Sequence, residues 1–143
     1  MKDNELSTSR VLDAPRAQVF RAISDPAILA HWWGPDGFSN TFKAFNFAPG
    51  GVWSFVMHGP DGTDYPNESA FAEIEAPQRV VIDHLSAPKF RLTIQLTEQA
   101  TLTRLDWTQA FASAEDCARI AQYARPANEQ NLDRLAAQLR KMA

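Results

Sequence analysis

Histidine is the residue type in this chain best suited to transfer a proton near neutral pH or to hold a metal ion. The chain has three histidines, His31, His58 and His84. A metal site needs several imidazoles to meet at one point, and these residues fall in three separate predicted elements. Their spacing does not bring them together. We therefore expect no metal site, and the sequence indicates no other cofactor.

His84 is the histidine whose position best suits a buried site. It lies late in a predicted strand and shares its alternation with Val80 and Ile82. Its side chain should therefore face the covered side of the sheet. There it is either an acid or base in a cavity or a core histidine satisfied by hydrogen bonds. Tyr65 is the other candidate for an acid–base role.

Cys117 is the only cysteine, which excludes an internal disulfide and a cysteine-based metal cluster. It lies near the start of a predicted helix, where a thiol can be activated. No histidine or carboxylate stands at the spacing of a partner for it. We expect Cys117 to be an ordinary small residue.

The acidic residues of the predicted strands do not form a catalytic pair. Asp83 and Asp106 have the alternation of the outer face of the sheet, and Glu73 and Glu75 alternate with Ile74 in the same way. Charged side chains on such a face are usually solvated. We therefore expect these carboxylates to lie on the surface.

Composition bounds the class of protein. The chain has 143 residues, of which 45% are hydrophobic and 22% charged, as in a globular protein with a sizeable core. Its length predicts a single domain over residues 1–143. A formal net charge of −3 gives no electrostatic reason to expect nucleic acid or an anionic membrane as a partner. Without an apolar signal or membrane-spanning segment, a cytoplasmic protein is expected.

The first third of the chain predicts a strand followed by two short helices. Residues 6–13 have the residue types of a strand, and Pro15 suits the first turn of a helix that runs to Ser24. Asp25 is the expected N-cap of a second helix. The turn at residues 34–37, Gly-Pro-Asp-Gly, ends that helix.

Residues 38–111 predict a run of antiparallel strands. Apolar residues alternate with polar ones around Phe45 and again around Phe55, as in half-buried strands. Glycine-rich turns at residues 49–51 and 59–62 separate these strands. The later predicted strands span residues 69–74, 79–85, 90–97 and 102–111, with a hairpin at residues 98–100.

A long helix is predicted over residues 113–143. Ser113 and Asp116 resemble a capping box at its start. Pro126 lies inside the helical pattern and should kink the helix or split it near residues 123–125. Since no other element is long enough to cover the apolar face of the sheet, this helix should do so. The architecture predicted is α+β, with a space between helix and sheet.

Several short motifs in this order carry a family resemblance. They are Asp13-Ala14-Pro15, Asp25-Pro26, Trp32-Trp33-Gly34-Pro35, Pro49-Gly50-Gly51, Pro60-Asp61-Gly62, Pro77-Gln78-Arg79 and Leu132-Asp133-Arg134-Leu135. The chain resembles the START-like, or SRPBCC, helix-grip superfamily, and within it the group named for the C-terminal domain of the activator of Hsp90 ATPase. The resemblance covers residues 5–139. It implies a curved antiparallel sheet of about seven strands, two short helices after the first strand and a long C-terminal helix.

The chain departs from the family pattern at one place. Family members commonly have Gly-Trp where this chain has Ala127-Asn128. Asparagine in place of a large aromatic residue should enlarge the central space and make it more polar. Alternatively, the helix has slid and the space is filled in another way.

The predicted cavity is apolar with a few polar groups, which is what a small-molecule site requires. Trp33 should lie at its mouth. The same polar groups could instead be satisfied by buried water. The candidate ligand-binding residues are Trp33, Trp53, Phe55, Met57, Asn67, Ser69, Phe71, His84, Trp107, Gln109, Asn128 and Asn131.

The function predicted is binding of a hydrophobic or amphipathic small molecule in this cavity. The resemblance implies two alternatives: an enzyme similar to polyketide cyclases and aromatases, using His84 or Tyr65, or an Hsp90 cochaperone. The eukaryotic activators have a separate N-terminal domain, for which this chain leaves no room because its unit begins near Glu5. We therefore do not expect Hsp90 as a partner. A homodimer through a sheet edge or the Trp32-Trp33 region is a further hypothesis.

Overall fold

A seven-stranded antiparallel sheet and a long C-terminal helix form the body of the protein, and two short helices follow the first strand. The structure is a computed structural model that describes residues 3–142. The predicted α+β architecture is confirmed. The elements are β1 (Glu5–Leu12), α1 (Arg16–Ser24), α2 (Pro26–Trp32), β2 (Ser39–Phe45), β3 (Val52–His58), β4 (Asp64–Glu75), β5 (Arg79–His84), β6 (Phe90–Gln99), β7 (Leu102–Phe111) and α3 (Ala114–Met142).

The order of strands in the sheet is β1-β7-β6-β5-β4-β3-β2. Strands β2 to β7 pair with their neighbours in the chain, whereas β1 pairs with the last strand, β7. Bulges interrupt the pairing between Phe42 and Ala44 and between Phe71 and Glu73. Because a bulge bends its strand and increases the local twist, these two positions help the sheet curve around α3.

Helices α1 and α2 close one end of the sheet. Val19 and Ile23 of α1 are buried in the main core. The carboxylate of Asp25 accepts a hydrogen bond from the amide of Ala27 at 3.0 Å, which confirms it as the N-cap of α2. The fully buried Trp32 donates its indole N–H to the carbonyl of Ala22 at 2.9 Å, so α2 is tied to α1.

The start of α3 is capped by one half of the predicted capping box. The hydroxyl of Ser113 accepts a hydrogen bond from the amide of Asp116 at 3.1 Å. The Asp116 carboxylate instead accepts from Arg119, also at 3.1 Å, one turn further along the helix. Neither α3 nor any other helix within residues 3–142 has the length and apolarity needed to cross a membrane.

Pro126 lies inside α3, which continues unbroken from Ala114 to Met142. Of the two predicted effects of this proline, a kink or a split, the split is therefore wrong. Both halves of the helix are held by packing, which offsets the backbone hydrogen bond that a proline removes. Before Pro126, Cys117 packs against Phe111 of β7. After it, the buried residues that pack in the main core are Leu132, Leu135 and Leu139.

The concave face of the sheet carries a cluster of stacked aromatic side chains. Trp53 stacks on Phe55 with ring centroids 4.3 Å apart and lies parallel to Phe71 at 5.8 Å. Each of these three residues is at most 2% exposed. Burying a side chain of this kind stabilises the fold by roughly 2–3 kcal/mol, so the cluster is a main source of stability.

The outer face of the sheet carries the charged residues, as predicted for Asp83 and Asp106. Asp83 pairs with Arg91 at 2.7 Å, and Asp106 pairs with Arg104 at 3.2 Å. His58 also lies on this face, against Asp64, while His31 is exposed on α2. Within residues 3–142 no three His, Cys, Asp or Glu side chains are grouped so that they could hold a metal ion.

Candidate functional site

A cavity of about 230 Å³ lies between the concave face of the sheet and the middle of α3. Strands β3 to β7 supply one wall, α3 supplies another, and the chain just after α2 closes one end. Most of the predicted ligand-binding residues meet here. Those that line it are Trp33, Phe55, Met57, Asn67, His84, Trp107, Gln109, Asn128 and Asn131.

Three predicted residues do not line the cavity. Trp53, Ser69 and Phe71 are at most 2% exposed and do not reach the cavity surface. Trp53 lies between Phe55 and Phe71 in the aromatic cluster described above. Strand alternation shows which face a side chain is on, but it does not show whether that side chain borders a cavity or fills the core beside it.

The sequence did not single out several other lining residues. Leu92 was visible only as one more apolar strand residue, and residues 34–35 only as a turn. Ala127 had been noted as a departure from the family pattern. Phe90, at the start of β6, and Pro88, in the loop before it, gave no separate signal, because strand periodicity does not show which strand ends and loops reach a cavity.

The tryptophans make one wall aromatic. The ring of Trp33 lies 5.7 Å from that of Trp107 and 5.0 Å from that of Trp53, measured between centroids. Trp107 is 2% exposed, and its indole N–H has no hydrogen-bond partner. A buried donor without a partner costs roughly 1–3 kcal/mol, so the Trp107 N–H is an unfavourable feature of this otherwise apolar wall.

Amide side chains provide the polar groups next to α3. Asn128 donates its amide N–H to the side-chain oxygen of Gln109 in β7 at 2.8 Å, which links the helix to the sheet. Asn131 donates to the backbone carbonyl of Trp32 at 2.8 Å. The departure at Asn128 therefore brings an amide pair into the cavity wall.

His84 lies on the opposite side of the cavity, and each of its ring nitrogens lies within hydrogen-bond distance of an oxygen atom. Its Nε2 is 2.6 Å from the side-chain oxygen of Asn67, and its Nδ1 is 2.8 Å from the carbonyl oxygen of Pro88. The ring also stacks on Phe90, with centroids 4.7 Å apart. Burial lowers the pKa of His84 below its usual value of 6.5, while the backbone carbonyls of Pro88 and Ser86 raise it in part.

An outer groove of about 390 Å³ adjoins the cavity. Five residues line both spaces: Pro35, Met57, Asn67, His84 and Pro88. Of these, we call the side chains of Met57, Asn67 and His84 the partition. Tyr65 lines the groove but not the cavity, and it is 45% exposed. Of the two predicted acid–base candidates, only His84 therefore borders the cavity.

Arg134, which the sequence shows only as part of a family motif, holds the loop that closes the cavity. Arg134 of α3 donates to backbone carbonyls over distances of 2.9–3.2 Å. Burial lowers the pKa of its guanidinium from the ordinary value, which is far above neutral, so the group stays charged. The carbonyls that it binds belong to His31, Trp33, Gly34, Pro35 and Phe38.

A second depression, of about 310 Å³, lies between β1 and the middle of α3. Glu129 in its lining is already engaged, because its carboxylate accepts hydrogen bonds from both Arg10 and Thr8. It borders the edge strand rather than the aromatic face of the sheet. The smaller cavity, with its aromatic wall and convergent polar groups, is the better candidate for a ligand site.

The family model described as "Activator of Hsp90 ATPase homolog 1-like protein" matches residues 13–140, which is most of the chain. The chain belongs to this family. The resemblance inferred from the short motifs is thereby confirmed. No curated protein matches the sequence.

Solved structures show the same fold for this AHSA1-like domain. It is similar to a protein from Nitrosomonas europaea, with 19% identity, a TM-score of 0.90 and coverage of 99% of this chain and 97% of that chain. A protein from Arthrobacter aurescens has 25% identity, a TM-score of 0.90 and coverage of 97% and 87%. The AHSA1 protein from Silicibacter pomeroyi has 21% identity, a TM-score of 0.77 and coverage of 97% and 99%. These similarities show the helix-grip fold.

Proposed function

We propose that this AHSA1-like domain binds a hydrophobic or amphipathic small molecule in the cavity between the sheet and α3. The observation that supports this best is the composition of the cavity wall. Trp33, Phe55 and Trp107 present aromatic surface, while the amides of Asn67 and Asn128 stand at its sides. Apolar burial would supply affinity, and the few polar groups would set the orientation of the ligand.

The volume of the cavity sets the size of the ligand. An apolar cavity of about 150 Å³ accommodates benzene, whereas ordinary ligand pockets start near 300 Å³. At about 230 Å³, this cavity suits a single ring with a short side chain. A longer molecule would pass between Met57 and His84 into the outer groove.

Native mass spectrometry of the purified protein, before and after denaturation, tests the proposal. A retained small molecule that is released on denaturation would support it and would reveal the chemical class. If no molecule is retained, a thermal-shift screen of single-ring and two-ring compounds follows. The proposal fails if no compound raises the unfolding temperature, because a ligand that binds only the folded state must do so.

One observation favours an enzyme as a second candidate. His84 borders the cavity and is the kind of group that could act as general acid or base on a bound substrate. If a ligand identified by mass spectrometry is turned over, the variant His84→Ala should abolish turnover while circular dichroism remains native. Unchanged turnover in that variant would exclude His84 from the reaction.

The description of the family also names the Hsp90 ATPase. A pull-down of this domain with purified Hsp90 distinguishes a cochaperone from a ligand-binding protein. We expect no complex, since the proposal rests on an internal cavity and requires no protein surface. A stable complex would make the cochaperone the better explanation.

A further inference from the structure

Both ring nitrogens of His84 face oxygen atoms that accept hydrogen bonds. The carbonyl of Pro88, 2.8 Å from Nδ1, can only accept. The orientation of the Asn67 amide is set by its NH₂ group, which donates to the carbonyl of Tyr65 at 2.8 Å. That leaves the Asn67 oxygen 2.6 Å from Nε2. Hydrogen bonds at both contacts require both nitrogens of His84 to donate, which only the imidazolium cation can do.

Neutral His84 cannot satisfy this arrangement. It has one N–H, so either Pro88 or Asn67 would lose its hydrogen bond. Turning the Asn67 amide around would give Nε2 a donor, but it would bring the amide oxygen against the carbonyl of Tyr65. The contacts around His84 thus favour the cation, while its burial opposes the cation by lowering the pKa.

Within residues 3–142, no carboxylate lines the cavity beside this cation. His84 is the only titratable side chain among the described residues that line the cavity. From β4 it meets Asn67, from the β5–β6 loop the backbone of Ser86 and Pro88, and from β6 the ring of Phe90.

The remaining neighbours also leave the cation unpaired. The cavity residues of α3 are Ala127, Asn128 and Asn131, none of which titrates. Asp64 lines the outer groove, to which His84 also contributes, but not the cavity, and its carboxylate is engaged by His58 at 2.7 Å. A partly buried cation that has hydrogen bonds but no counter-charge is unfavourable by itself, and an anion nearby would stabilise it.

We propose that the natural ligand is a small amphipathic carboxylate whose apolar part fills the cavity and whose carboxylate lies beside the imidazolium of His84. This inference rests on the proposed function. A single cation matches a monoanion, whereas a phosphate monoester would leave charge unpaired, because no lysine or arginine lines the cavity in residues 3–142. The partition formed by Met57, Asn67 and His84 would then separate the apolar part from solvent.

Linkage sets how binding depends on pH. A bound carboxylate raises the pKa of His84, because the opposite charge favours the protonated form. Affinity is then highest below the pKa of His84 in the free protein and falls as pH rises through its pKa in the complex. A rise of one pKa unit corresponds to about a tenfold change in affinity. A neutral ligand of the same shape should show no such dependence.

A matched pair of probes tests this inference. We would titrate the protein with 3-phenylpropanoate and with 3-phenylpropanamide by isothermal titration calorimetry. NMR of the ring nitrogens gives the midpoint of the His84 titration. Binding is then measured at one pH below and one pH above that midpoint, and both pH values lie above the pKa of 3-phenylpropanoic acid. We expect the carboxylate to bind about tenfold more tightly than the amide at the lower pH, for one pKa unit of coupling, and to lose that preference at the higher pH.

Two variants test whether the preference for the carboxylate depends on His84 or on a histidine elsewhere in the protein. In His84→Gln the side chain stays neutral at every pH, so the preference for the carboxylate over the amide should disappear. His58→Gln removes a histidine on the outer face of the sheet and should leave the preference intact. Thermal unfolding of both variants confirms that they fold.

The possible outcomes distinguish this inference from the proposed function. Equal and pH-independent binding of the two probes would overturn the inference and leave the proposed function standing. A carboxylate preference that survives in His84→Gln would also overturn it. Failure of both probes to bind at either pH would refute the cavity as a site for ligands of this size, and the inference with it.

Discussion

Filling the cavity from the helix side should abolish ligand binding while the protein stays folded. Ala127 lines the cavity from α3, so the variant Ala127→Phe places a phenyl ring inside it. Ala118 lies on the same helix and is exposed. Ala118→Phe is therefore the matched control, because it makes the same chemical change outside the cavity.

The magnitude follows from the volumes. A phenyl ring needs roughly the 150 Å³ in which an apolar cavity holds benzene. Of a cavity of about 230 Å³, only roughly 80 Å³ would remain, which is the space of two or three water molecules. A ligand with one ring no longer fits, so we expect a loss of affinity of at least about a hundredfold, or roughly 2.7 kcal/mol.

The stability of the variant is a second measurable quantity. Overpacking usually costs about 1–3 kcal/mol, but here the added ring enters existing space. We therefore expect the free energy of unfolding of Ala127→Phe to lie within about 1 kcal/mol of the parent protein. Ala118→Phe should bind ligand as the parent does and unfold at nearly the same temperature.

Calorimetric titration with 3-phenylpropanamide at a single pH is the assay, because this neutral probe does not depend on the charge of His84. Equal affinity of Ala127→Phe and Ala118→Phe would refute the reasoning, since the probe would then bind elsewhere. A strongly destabilised Ala127→Phe would show instead that the space between sheet and helix is filled in solution.

Three predictions concern the elements that shape the site, and urea unfolding measures each. Arg134→Met removes the donors that hold the loop carbonyls and should lower the free energy of unfolding by about 3 kcal/mol; a loss below about 1 kcal/mol would contradict this role. Gly34→Ala should cost about 1–2 kcal/mol of backbone strain, because φ is +100°; the Met57 methyl carbon 2.7 Å from the added Cβ ends a flexible side chain and can move aside. Gly50→Ala is its control: φ is +80° with nothing within 4 Å of the added Cβ, so a similar loss is expected, and a clearly larger loss in Gly34→Ala would show that Met57 cannot move. Pro126→Ala restores an amide donor inside α3 and should stabilise the protein by about 1–3 kcal/mol; destabilisation would show that the proline shapes the helix as its packing requires.

Much of the fold could be predicted from local patterns. The alternation around Phe55 and the glycine turns define strands and hairpins, because side-chain direction in a strand follows from its two-residue period. The N-cap at Asp25 and the serine cap of α3 are likewise local signals. The sequence could not show that α3 stays continuous at Pro126, because the packing on both sides of that residue is tertiary.

The cavity wall could be predicted only in part. The alternation of residues placed Trp53 and Phe55 on the same face, yet only Phe55 reaches the cavity. Which of two inward side chains borders a space depends on sheet curvature and on the packing of the helix, and neither is visible in a single strand. The same holds for Pro88, which lies in a loop and reaches the cavity through the fold alone.

By itself, the sequence determined the element order, the face of each strand that is buried and the family to which the chain belongs. These follow from periodicity, turn chemistry and short motifs, all of which act over a few residues. Only the tertiary structure decided which groups meet. Arg134 binds carbonyls about a hundred positions away in the chain. Asn67 in β4 contacts a ring nitrogen of His84 in the neighbouring strand β5. Such contacts depend on register and curvature, which long-range packing sets.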